Sequence, residues 1–441
     1  MAQALSGKAR VAIIGAGYAG IAAALELTAA GIPTDLFESS RTLGGRARHV
    51  DFDGMAVDNG LHILIGAYRE TLRLMRLVGA DPQRLLLRLP LTLDYPGAVR
   101  LAAPRLPAPL HLVVALLRAG GLEFSEKFAA IRFMQAIKRN QFRLPEDISV
   151  AALLAAHRQP PKLRRYLWEP LCLSALNTPA ASASAQVFLN VLRDSLAAQR
   201  QASDLLLPRV DLTQLLPQPA ADFIVAHGGQ LHRAAAIKAI THTAAGYTLH
   251  GQGAHRTYSH VIVAVAPYHL PPLLAQLPKL SALAQQVAGF AWEPILTCYL
   301  AYPPQVRLTM PMQGYVDGML QWLFDRGQLG GPPGLLAAVI SAHGRHRELS
   351  REALARRLHE EIEVHHPGLP PPLKSLVITE QRATFACTPG LARPGTVTAL
   401  PGLLLAGDYV ASDYPGTLES AVRSGVKAAA SILGQTPADQ A

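Results

Sequence analysis

The sequence predicts an α/β fold, in which a parallel sheet between helices is joined to a second, largely helical part. Three observations lead to this prediction. The chain has 441 residues, 50% hydrophobic and 16% charged, so it is long enough for two or three domains and too apolar to be disordered. Near its start a buried strand leads into a glycine-rich turn and a helix. A similar strand, turn and helix stand near its end.

The composition narrows the class of function. The 41 Lys and Arg exceed the 31 Asp and Glu, giving a net charge of +10. No basic stripe interleaved with aromatic residues accompanies this charge, which argues against nucleic acid as a partner and favours an anionic membrane surface. The three cysteines lie far apart, and HxxxH and HExxH patterns are absent. We therefore expect neither a disulfide framework nor a metal site.

The first thirty residues resemble a signal peptide, because Lys8 and Arg10 precede an apolar, Ala-rich stretch. Three glycines within six positions argue against that interpretation. No apolar run approaches the roughly 18 residues needed to span a bilayer. We expect a cytoplasmic protein, with peripheral contact to the inner face of the cytoplasmic membrane left open.

The first strand covers residues 11–14, a continuous apolar run typical of a strand buried on both faces. The turn that follows contains Gly15, Gly17 and Gly20, and a helix continues to about residue 30. In a dinucleotide-binding turn the first glycine permits the tight turn, the second lets a pyrophosphate approach, and the third packs helix on strand. The amides at the helix start favour phosphate. This order predicts dinucleotide binding.

The second strand, residues 34–37, ends at Glu38, which lies 18 residues beyond Gly20. That spacing is close to the one expected for a carboxylate that binds a ribose hydroxyl. The alternative is an ordinary solvated residue at the end of a strand.

A second glycine pair follows at once, in the order Arg41, Gly44, Gly45, Arg46. Paired glycines let another backbone segment approach a cofactor, and a guanidinium can bind a phosphate or a flavin edge. A Gly-Gly hairpin with a surface Arg is the alternative. The position directly after Glu38 favours the cofactor.

These motifs resemble the FAD-dependent amine oxidase and phytoene desaturase superfamily, and the C-terminal block supports the resemblance. A strand at 403–406 leads to Gly407 and Asp408, and a turn opens a helix at Thr417 and Leu418. The resemblance implies that Asp408 binds the ribityl or pyrophosphate region of FAD and that this helix start faces the flavin N1 and O2 edge. A helix start suits the negative charge of reduced flavin. A plain strand-turn-helix is the alternative.

The resemblance also implies a Rossmann-like FAD-binding domain of the glutathione-reductase-like type that is discontinuous in sequence. Residues 221–265 fit one return to it, with Gly228 and Gly229 opening a helix and a buried strand at 261–265. We predict an FAD-binding domain from 1–85, 209–267 and 395–441, and a largely helical plus β-sheet substrate domain from 86–208 and 268–394. The surroundings of Cys387 lack a Gly-Gly-Cys context, so we expect non-covalent FAD.

A helical segment in the substrate part is strongly apolar. Its residues Phe124, Phe128, Ile131, Phe133, Met134 and Ile137 are spaced to cover one broad helix face. We favour a buried core face. The alternative is a lipid entrance, in which apolar helices dip into the membrane while nearby cations meet anionic headgroups, namely Arg118, Lys127, Arg132, Lys138 and Arg139.

Within the superfamily, residues 58–62, 168–179 and 382–385 resemble hydroxysqualene dehydroxylases, also called squalene-associated FAD-dependent desaturases. The resemblance runs from residue 11 to about 433. It implies an FAD-dependent oxidoreductase of squalene and hopanoid biosynthesis that removes the hydroxyl of hydroxysqualene to give squalene. Hydride would come from reduced FAD, and an unidentified electron donor would reduce the FAD again after each turnover.

Such a reaction needs an acid near the hydroxyl in a dry apolar pocket. We consider His62 first, because it follows the glycine pair in a region that approaches the flavin in relatives, and Glu169 second. The alternatives are a packed histidine and a structural salt bridge. Asn177 and Tyr95 are further candidates for orienting the hydroxyl.

Three other functions stay open. A carotenoid or isoprenoid desaturase would pass hydride in the opposite direction, to oxidised FAD. A flavin amine oxidase is a second possibility, although only 6% of the residues are aromatic, which makes an aromatic cage for an amine less compelling. The third is a non-catalytic flavoprotein that carries an isoprenoid or scaffolds other enzymes.

Overall fold

The computed structural model describes residues 10–253 and 256–434. The strands in these residues are β1 (Val11–Ile14), β2 (Thr34–Phe37), β3 (His49–Phe52), β4 (Met55–Asp58), β5 (Leu64–Ile65), β6 (Leu86–Leu89), β7 (Thr92–Tyr95), β8 (Val99–Ala102), β9 (Leu205–Pro208), β10 (Gln230–His232), β11 (Ile237–Thr243), β12 (Gly246–Gly251), β13 (Thr257–Tyr258), β14 (His260–Val263), β15 (Trp292–Ala301), β16 (Met312–Gly314), β17 (Trp322–Asp325), β18 (Leu335–Ser341), β19 (Lys374–Phe385) and β20 (Leu403–Leu405).

The helices are α1 (Tyr18–Ala29), α2 (Arg69–Leu77), α3 (Pro82–Leu85), α4 (Leu110–Arg118), α5 (Phe124–Arg139), α6 (Val150–Ala156), α7 (Pro161–Leu163), α8 (Glu169–Leu176), α9 (Ala185–Leu192), α10 (Leu212–Leu215), α11 (Pro217–Ala226), α12 (Leu270–Leu273), α13 (Ser281–Ala288), α14 (Arg351–His365) and α15 (Leu418–Leu433). The predicted α/β class is confirmed.

One sheet has the strand order β10-β2-β1-β14-β20, with every pair parallel. All four side chains of the central strand β1 are buried, as its continuous apolar run predicts. Helix α1 packs against α15 and α11. A Cβ on Gly425 would lie 2.1 Å from the carbonyl oxygen of Ala19, so only glycine allows α15 to come this close to α1.

The strands of this sheet come from three separated stretches of chain, and each falls within one of the ranges predicted for the FAD-binding domain. The domain boundaries themselves stay a prediction. One detail is wrong: Gly228 and Gly229 do not open a helix. They follow α11, and Gly228 has a φ of +86°, the left-handed conformation in which glycine commonly ends a helix. The chain then enters β10.

A second sheet is antiparallel, with the order β16-β17-β18-β15-β19. Its two faces differ, because successive side chains of a strand point to opposite sides. On one face Leu323 and Ile340 pack in a core with helix α14. On the other face Trp322, Phe324 and Val339 line a large cavity. The sheet thus forms a wall of that cavity.

Helices α4 to α9 lie in the segment between the first and second parts of the parallel sheet. The prediction of one broad buried face on α5 is wrong for its first half. Phe124 is 75% exposed and Phe128 60% exposed, whereas Phe133 and Ile137 are buried. Phe133 packs edge-on against Trp168, with ring centroids 5.0 Å apart. The residues described contain no helix with the length and apolar character required to traverse a bilayer.

Candidate active site

One continuous cavity of about 800 Å³ connects the turn after β1 with the antiparallel sheet. Its first end, the nucleotide end, is polar and glycine-rich, lined by Gly15, Gly17, Tyr18, Glu38, Ser39, Ser40, Gly44, Gly45 and Arg46. Its other end, the apolar end, is lined by Leu91, Leu93, Leu171, Phe188, Val191, Leu192, Met312, Trp322, Phe324 and Val339. The lining also includes His62, Tyr268, Glu380 and Thr384.

The three glycines of the first turn differ in what surrounds them. A Cβ on Gly15 would lie 2.6 Å from the carbonyl oxygen of Ala264, and one on Gly20 would lie 1.8 Å from that of Gly15. Side chains at these two positions would force the backbone apart. At Gly17, which precedes α1 and lines the cavity, a Cβ would meet no protein atom closer than 3.9 Å. The space beside Gly17 is therefore open to a ligand.

Glu38 is buried, so the alternative of a solvated residue is wrong. Its Oε2 accepts a hydrogen bond of 2.8 Å from the N–H of Ala16, and its Oε1 accepts one of 2.8 Å from the N–H of Ser40. The carboxylate joins the glycine turn to the loop after β2. It also lines the cavity, where its binding to a ribose stays a prediction.

The second glycine pair packs on the first turn and is no surface hairpin. The N–H of Gly44 donates to the carbonyl oxygen of Ala16 over 2.9 Å, and a Cβ on Gly45 would lie 3.2 Å from the Cα of Gly17. Close approach of two backbone segments thus requires glycine here. Arg41 is exposed and is not among the residues that line the cavity.

Arg46 and Asp408 come from opposite ends of the chain and bind each other. The guanidinium lies 2.5 Å from the Asp408 carboxylate and donates to the carbonyl oxygen of Ala383 over 2.6 Å. Both side chains also line the cavity, together with Gly407. Their predicted contacts with FAD are not tested by this pairing and stay a prediction.

Helix α15 starts at the cavity wall. The Oγ1 of Thr417 accepts a hydrogen bond of 3.2 Å from the N–H of Ser420 and caps the helix, and Thr417 and Leu418 line the cavity. First-turn N–H groups lack partners within a helix and favour negative charge. The next residue, Glu419, is satisfied inside the protein, because its carboxylate accepts from the N–H and the hydroxyl of Thr71.

His62 lines the cavity near Arg46. Its Nδ1 is 3.0 Å from the carbonyl oxygen of Gly60. Burial lowers the pKa of His62, and this outweighs the bond to Gly60, while nearby Arg46 lowers the pKa further. The imidazole is therefore neutral at neutral pH, with its Nδ1–H assigned as the donor to Gly60, which leaves Nε2 as a proton acceptor.

The other proposed acid and the two orienting candidates are placed differently. Glu169 does not line the cavity; its carboxylate is 41% exposed and lies 3.2 Å from Arg164. Asn177 lines the cavity, but its side chain donates to Thr384 over 3.0 Å and accepts from the N–H of Ala342 over 3.2 Å. Tyr95 is buried against Tyr166 and Trp322, outside the lining. Glu169 and Asn177 thus have structural contacts.

Sequence reasoning missed several polar residues of the cavity wall. Tyr268 carries the guanidinium of Arg382 over its ring at 4.9 Å, and burial raises the pKa of Tyr268, which keeps the phenol protonated. Tyr268 closely follows β14, and loops after parallel strands border ligand sites in such sheets. That position is a signal by which it could have been found.

Asp194 is a second missed residue. Burial by itself would raise the pKa of Asp194, but hydrogen bonds from Arg193 and Tyr414 outweigh burial and lower it. The hydroxyl of Tyr414 donates to this carboxylate over 2.7 Å. The pair joins the end of α9 to the loop before α15, and both residues line the cavity. No sequence motif identifies Asp194 as a residue of the cavity wall.

The parallel sheet, the open glycine turn and the start of α15 at the cavity wall are typical of a dinucleotide-binding protein. The chain belongs to the flavin containing amine oxidoreductase family, whose model matches residues 18–433. It is an FAD-dependent oxidoreductase. The nucleotide end fits this cofactor, since a buried carboxylate, a helix start and the open space at Gly17 meet there.

Relatives refine this assignment. A hydroxysqualene dehydroxylase of Sinorhizobium fredii is 27% identical over 97% of this chain and 99% of its own length, and one of Rhodopseudomonas palustris is 29% identical over 96% and 98%. The resemblance to this group is confirmed. A zeta-carotene desaturase of Solanum lycopersicum is 23% identical over 96% of this chain and 81% of its own length. The solved structure of cyclohexylamine oxidase from Brevibacterium oxydans shares the fold, with a TM-score of 0.70, 20% identity and coverage of 97% and 99%.

Proposed function

We propose that this oxidoreductase removes the hydroxyl group of hydroxysqualene and releases squalene. The observation that carries the proposal is the apolar end of the cavity, which opens directly onto the nucleotide end. An extended hydrocarbon needs such a compartment, with few polar groups near the reacting atoms. The two full-length relatives that bear the name hydroxysqualene dehydroxylase support the same substrate.

Reduced FAD, when bound, supplies the hydride for the reaction. The substrate loses its hydroxyl as water after protonation, and the hydride takes the vacated carbon, so one proton and one hydride enter while one water leaves. Leucine, phenylalanine and valine side chains of the apolar end keep bulk water from the allylic cation. Ser174 lies on this wall, where its Oγ accepts a hydrogen bond of 3.0 Å from Trp322.

We assign the proton to His62. Its Nδ1–H is held by Gly60, so Nε2 is the atom that takes up a proton and passes it to the leaving hydroxyl. Because burial lowers the pKa of His62, the imidazolium is a stronger acid than one in water. Glu169 is not part of this proposal, since it lies outside the cavity lining and pairs with Arg164.

An isoprenoid substrate of this kind dissolves in lipid, so we also propose peripheral association with the membrane and delivery of electrons by a separate donor. Desaturation is the second candidate function, supported by the zeta-carotene desaturase among the relatives. It would use the same apolar compartment and reverse the direction of hydride transfer.

Product analysis under anaerobic conditions decides between the two. Dithionite-reduced protein is freed of excess dithionite and incubated with hydroxysqualene in detergent, and the lipid is extracted for mass spectrometry. We expect squalene together with reoxidation of the flavin absorbance. Oxidised protein is the matched control and should form none. Unchanged substrate in the presence of bound, reducible FAD would refute the dehydroxylase and leave desaturation of a related isoprenoid.

A further inference from the structure

Helices α4 and α5, with the segment just before α4, carry an unusual concentration of exposed apolar side chains. Five of the eleven large hydrophobic side chains exposed in the described residues fall within 23 positions, and they include both exposed phenylalanines: Leu106, Leu110, Leu117, Phe124 and Phe128. We call these five residues the α4–α5 face. Scattered apolar residues are ordinary on a protein surface, whereas a cluster marks a contact.

The packing of the two helices explains why these side chains are exposed. The opposite side of α4 is buried at His111, Ala115 and Leu116, so Leu110 and Leu117 are turned outward. Lys127 on α5 is buried, and its Nζ donates to the carbonyl oxygen of Leu117 over 2.9 Å while lying 5.4 Å from the centre of the Phe124 ring. Lys127 therefore ties the helices together and is not free for a lipid headgroup, so it does not have the role that the lipid-entrance alternative gave it.

Basic residues predominate in the stretch that carries the α4–α5 face. Residues 105–139 contain six basic and two acidic side chains, and five of the six basic ones are exposed: Arg105, Arg118, Arg132, Lys138 and Arg139. One of the acids, Glu126, accepts a hydrogen bond of 2.8 Å from the N–H of Glu123. Apolar side chains accompanied by cations complement an anionic bilayer, because its negative surface potential attracts Lys and Arg side chains near the surface.

Helix α4 and the turn that follows it lie next to side chains that line the cavity. On α4, Nε2 of buried His111 is 3.3 Å from the Oγ of Ser203, which lines the cavity. In the turn between the helices, Leu122 borders a small void of about 10 Å³ together with Leu93 and Tyr166. Leu93 also lines the large cavity. One layer of side chains thus separates the helices from the substrate compartment.

We propose that the α4–α5 face docks on an anionic lipid bilayer and holds the apolar end of the cavity against the lipid. The inference deepens the proposed function and rests on it for its purpose, which is delivery of a membrane-dissolved substrate. The docking itself is a property of the surface, so it can be measured without substrate.

Vesicle sedimentation with the FAD-loaded full-length protein tests the proposal. We expect the protein to pellet with vesicles of phosphatidylcholine and phosphatidylglycerol in equal parts, and to bind vesicles of phosphatidylcholine alone more weakly. Added salt should reduce the difference, because it screens the cations. Wild-type protein that stays in solution with the anionic vesicles would overturn the proposal.

Matched variants locate the docking surface. Phe124→Ser with Phe128→Ser should lower the vesicle partition coefficient roughly tenfold or more, since burial of each ring in lipid is lost. Val364→Ser with Leu373→Ser removes two side chains that are similarly exposed elsewhere, 75% and 68%, and should leave it unchanged. Equal losses in both double variants would overturn the assignment.

A charge variant and two readouts complete the test. Arg118→Gln with Arg132→Gln should weaken binding to anionic vesicles and leave binding to phosphatidylcholine unchanged; no loss would refute the role of these cations. Flavin absorbance and the Tm show that each variant is folded. Squalene formation in detergent is measured separately, so that failure of the catalytic proposal is distinguishable from failure to dock.

Discussion

Replacement of Gly17 by Ala tests how the nucleotide end holds its cofactor. Gly17 has a φ of −72°, which alanine adopts without strain. A Cβ would meet no protein atom closer than 3.9 Å, so the folded apoprotein should tolerate the methyl group. The change from Gly to Ala before a helix costs only about 0.5 kcal/mol. The methyl group would, however, occupy the space beside the helix start.

We expect Gly17→Ala to weaken the binding of FAD. A phosphate oxygen bound to a backbone N–H lies about 2.9 Å from the nitrogen, and a neighbouring methyl group displaces it. One lost hydrogen bond to a charged group costs about 1.5–3 kcal/mol, which corresponds to a rise in Kd of roughly 10- to 150-fold. Fluorescence titration of the apoprotein with FAD measures Kd, and thermal unfolding without FAD monitors the fold. Wild-type FAD affinity in Gly17→Ala would refute the proposed approach of the pyrophosphate.

Three further perturbations follow from the buried ionisable groups. In Glu38→Gln the side-chain NH₂ group would face the backbone N–H of Ala16 or of Ser40, which leaves one hydrogen bond unmade. We expect the free energy of unfolding to fall by about 1–3 kcal/mol. The control is Glu169→Gln, which breaks a half-exposed ion pair and should change the free energy of unfolding by less than about 1 kcal/mol. Equal losses in the two variants would contradict the structural role of Glu38. The pKa of His62 lies below the ordinary 6.5, and the imidazolium is the proposed acid, so kcat/KM should fall as pH rises through this pKa. His62→Gln should retain FAD and lose this pH dependence. Identical pH profiles for the variant and wild type would exclude His62 as the acid. Burial raises the pKa of Asp58 to about 7, so between its ordinary 3.8 and 7 the folded state holds a proton that the unfolded state has lost, and stability falls as pH rises. Relative to wild type, Asp58→Asn should gain free energy of unfolding as pH rises through this window, by up to roughly 4 kcal/mol above it, measured by denaturant unfolding at each pH. A difference independent of pH would contradict the burial argument.

The glycine turn was predictable because its geometry is encoded locally. Gly15 and Gly20 have backbone atoms where a side chain would lie, and few other residue types satisfy that requirement. The same locality explains the good prediction of β1, whose four apolar residues are all buried. Where conformation depends on neighbours close in sequence, spacing and residue type suffice.

Features that depend on distant contacts were not predictable. The periodicity of α5 is equally compatible with a buried and an exposed first turn, and the bond from Lys127 to Leu117 fixes the exposed one. Tyr414 reaches Asp194 across 220 positions of sequence. The pairing of Arg46 with Asp408 likewise spans almost the whole chain. Such contacts arise from the tertiary fold, which residue spacing alone does not reveal.

The scattered origin of the parallel sheet has a consequence for biosynthesis. Its central strand β1 and its edge strand β20 are separated by roughly 390 residues, which a ribosome adds in about 20 to 80 s. Until then α1 lacks α15, its packing partner, and the buried strand β1 has only early neighbours. The nascent chain must therefore keep an incomplete, apolar sheet from aggregating, and the part of the cavity wall formed by Gly407, Asp408 and Thr417 is added only when translation is nearly finished. Chaperone supply and flavin supply during that interval should limit the yield of active protein in a heterologous host.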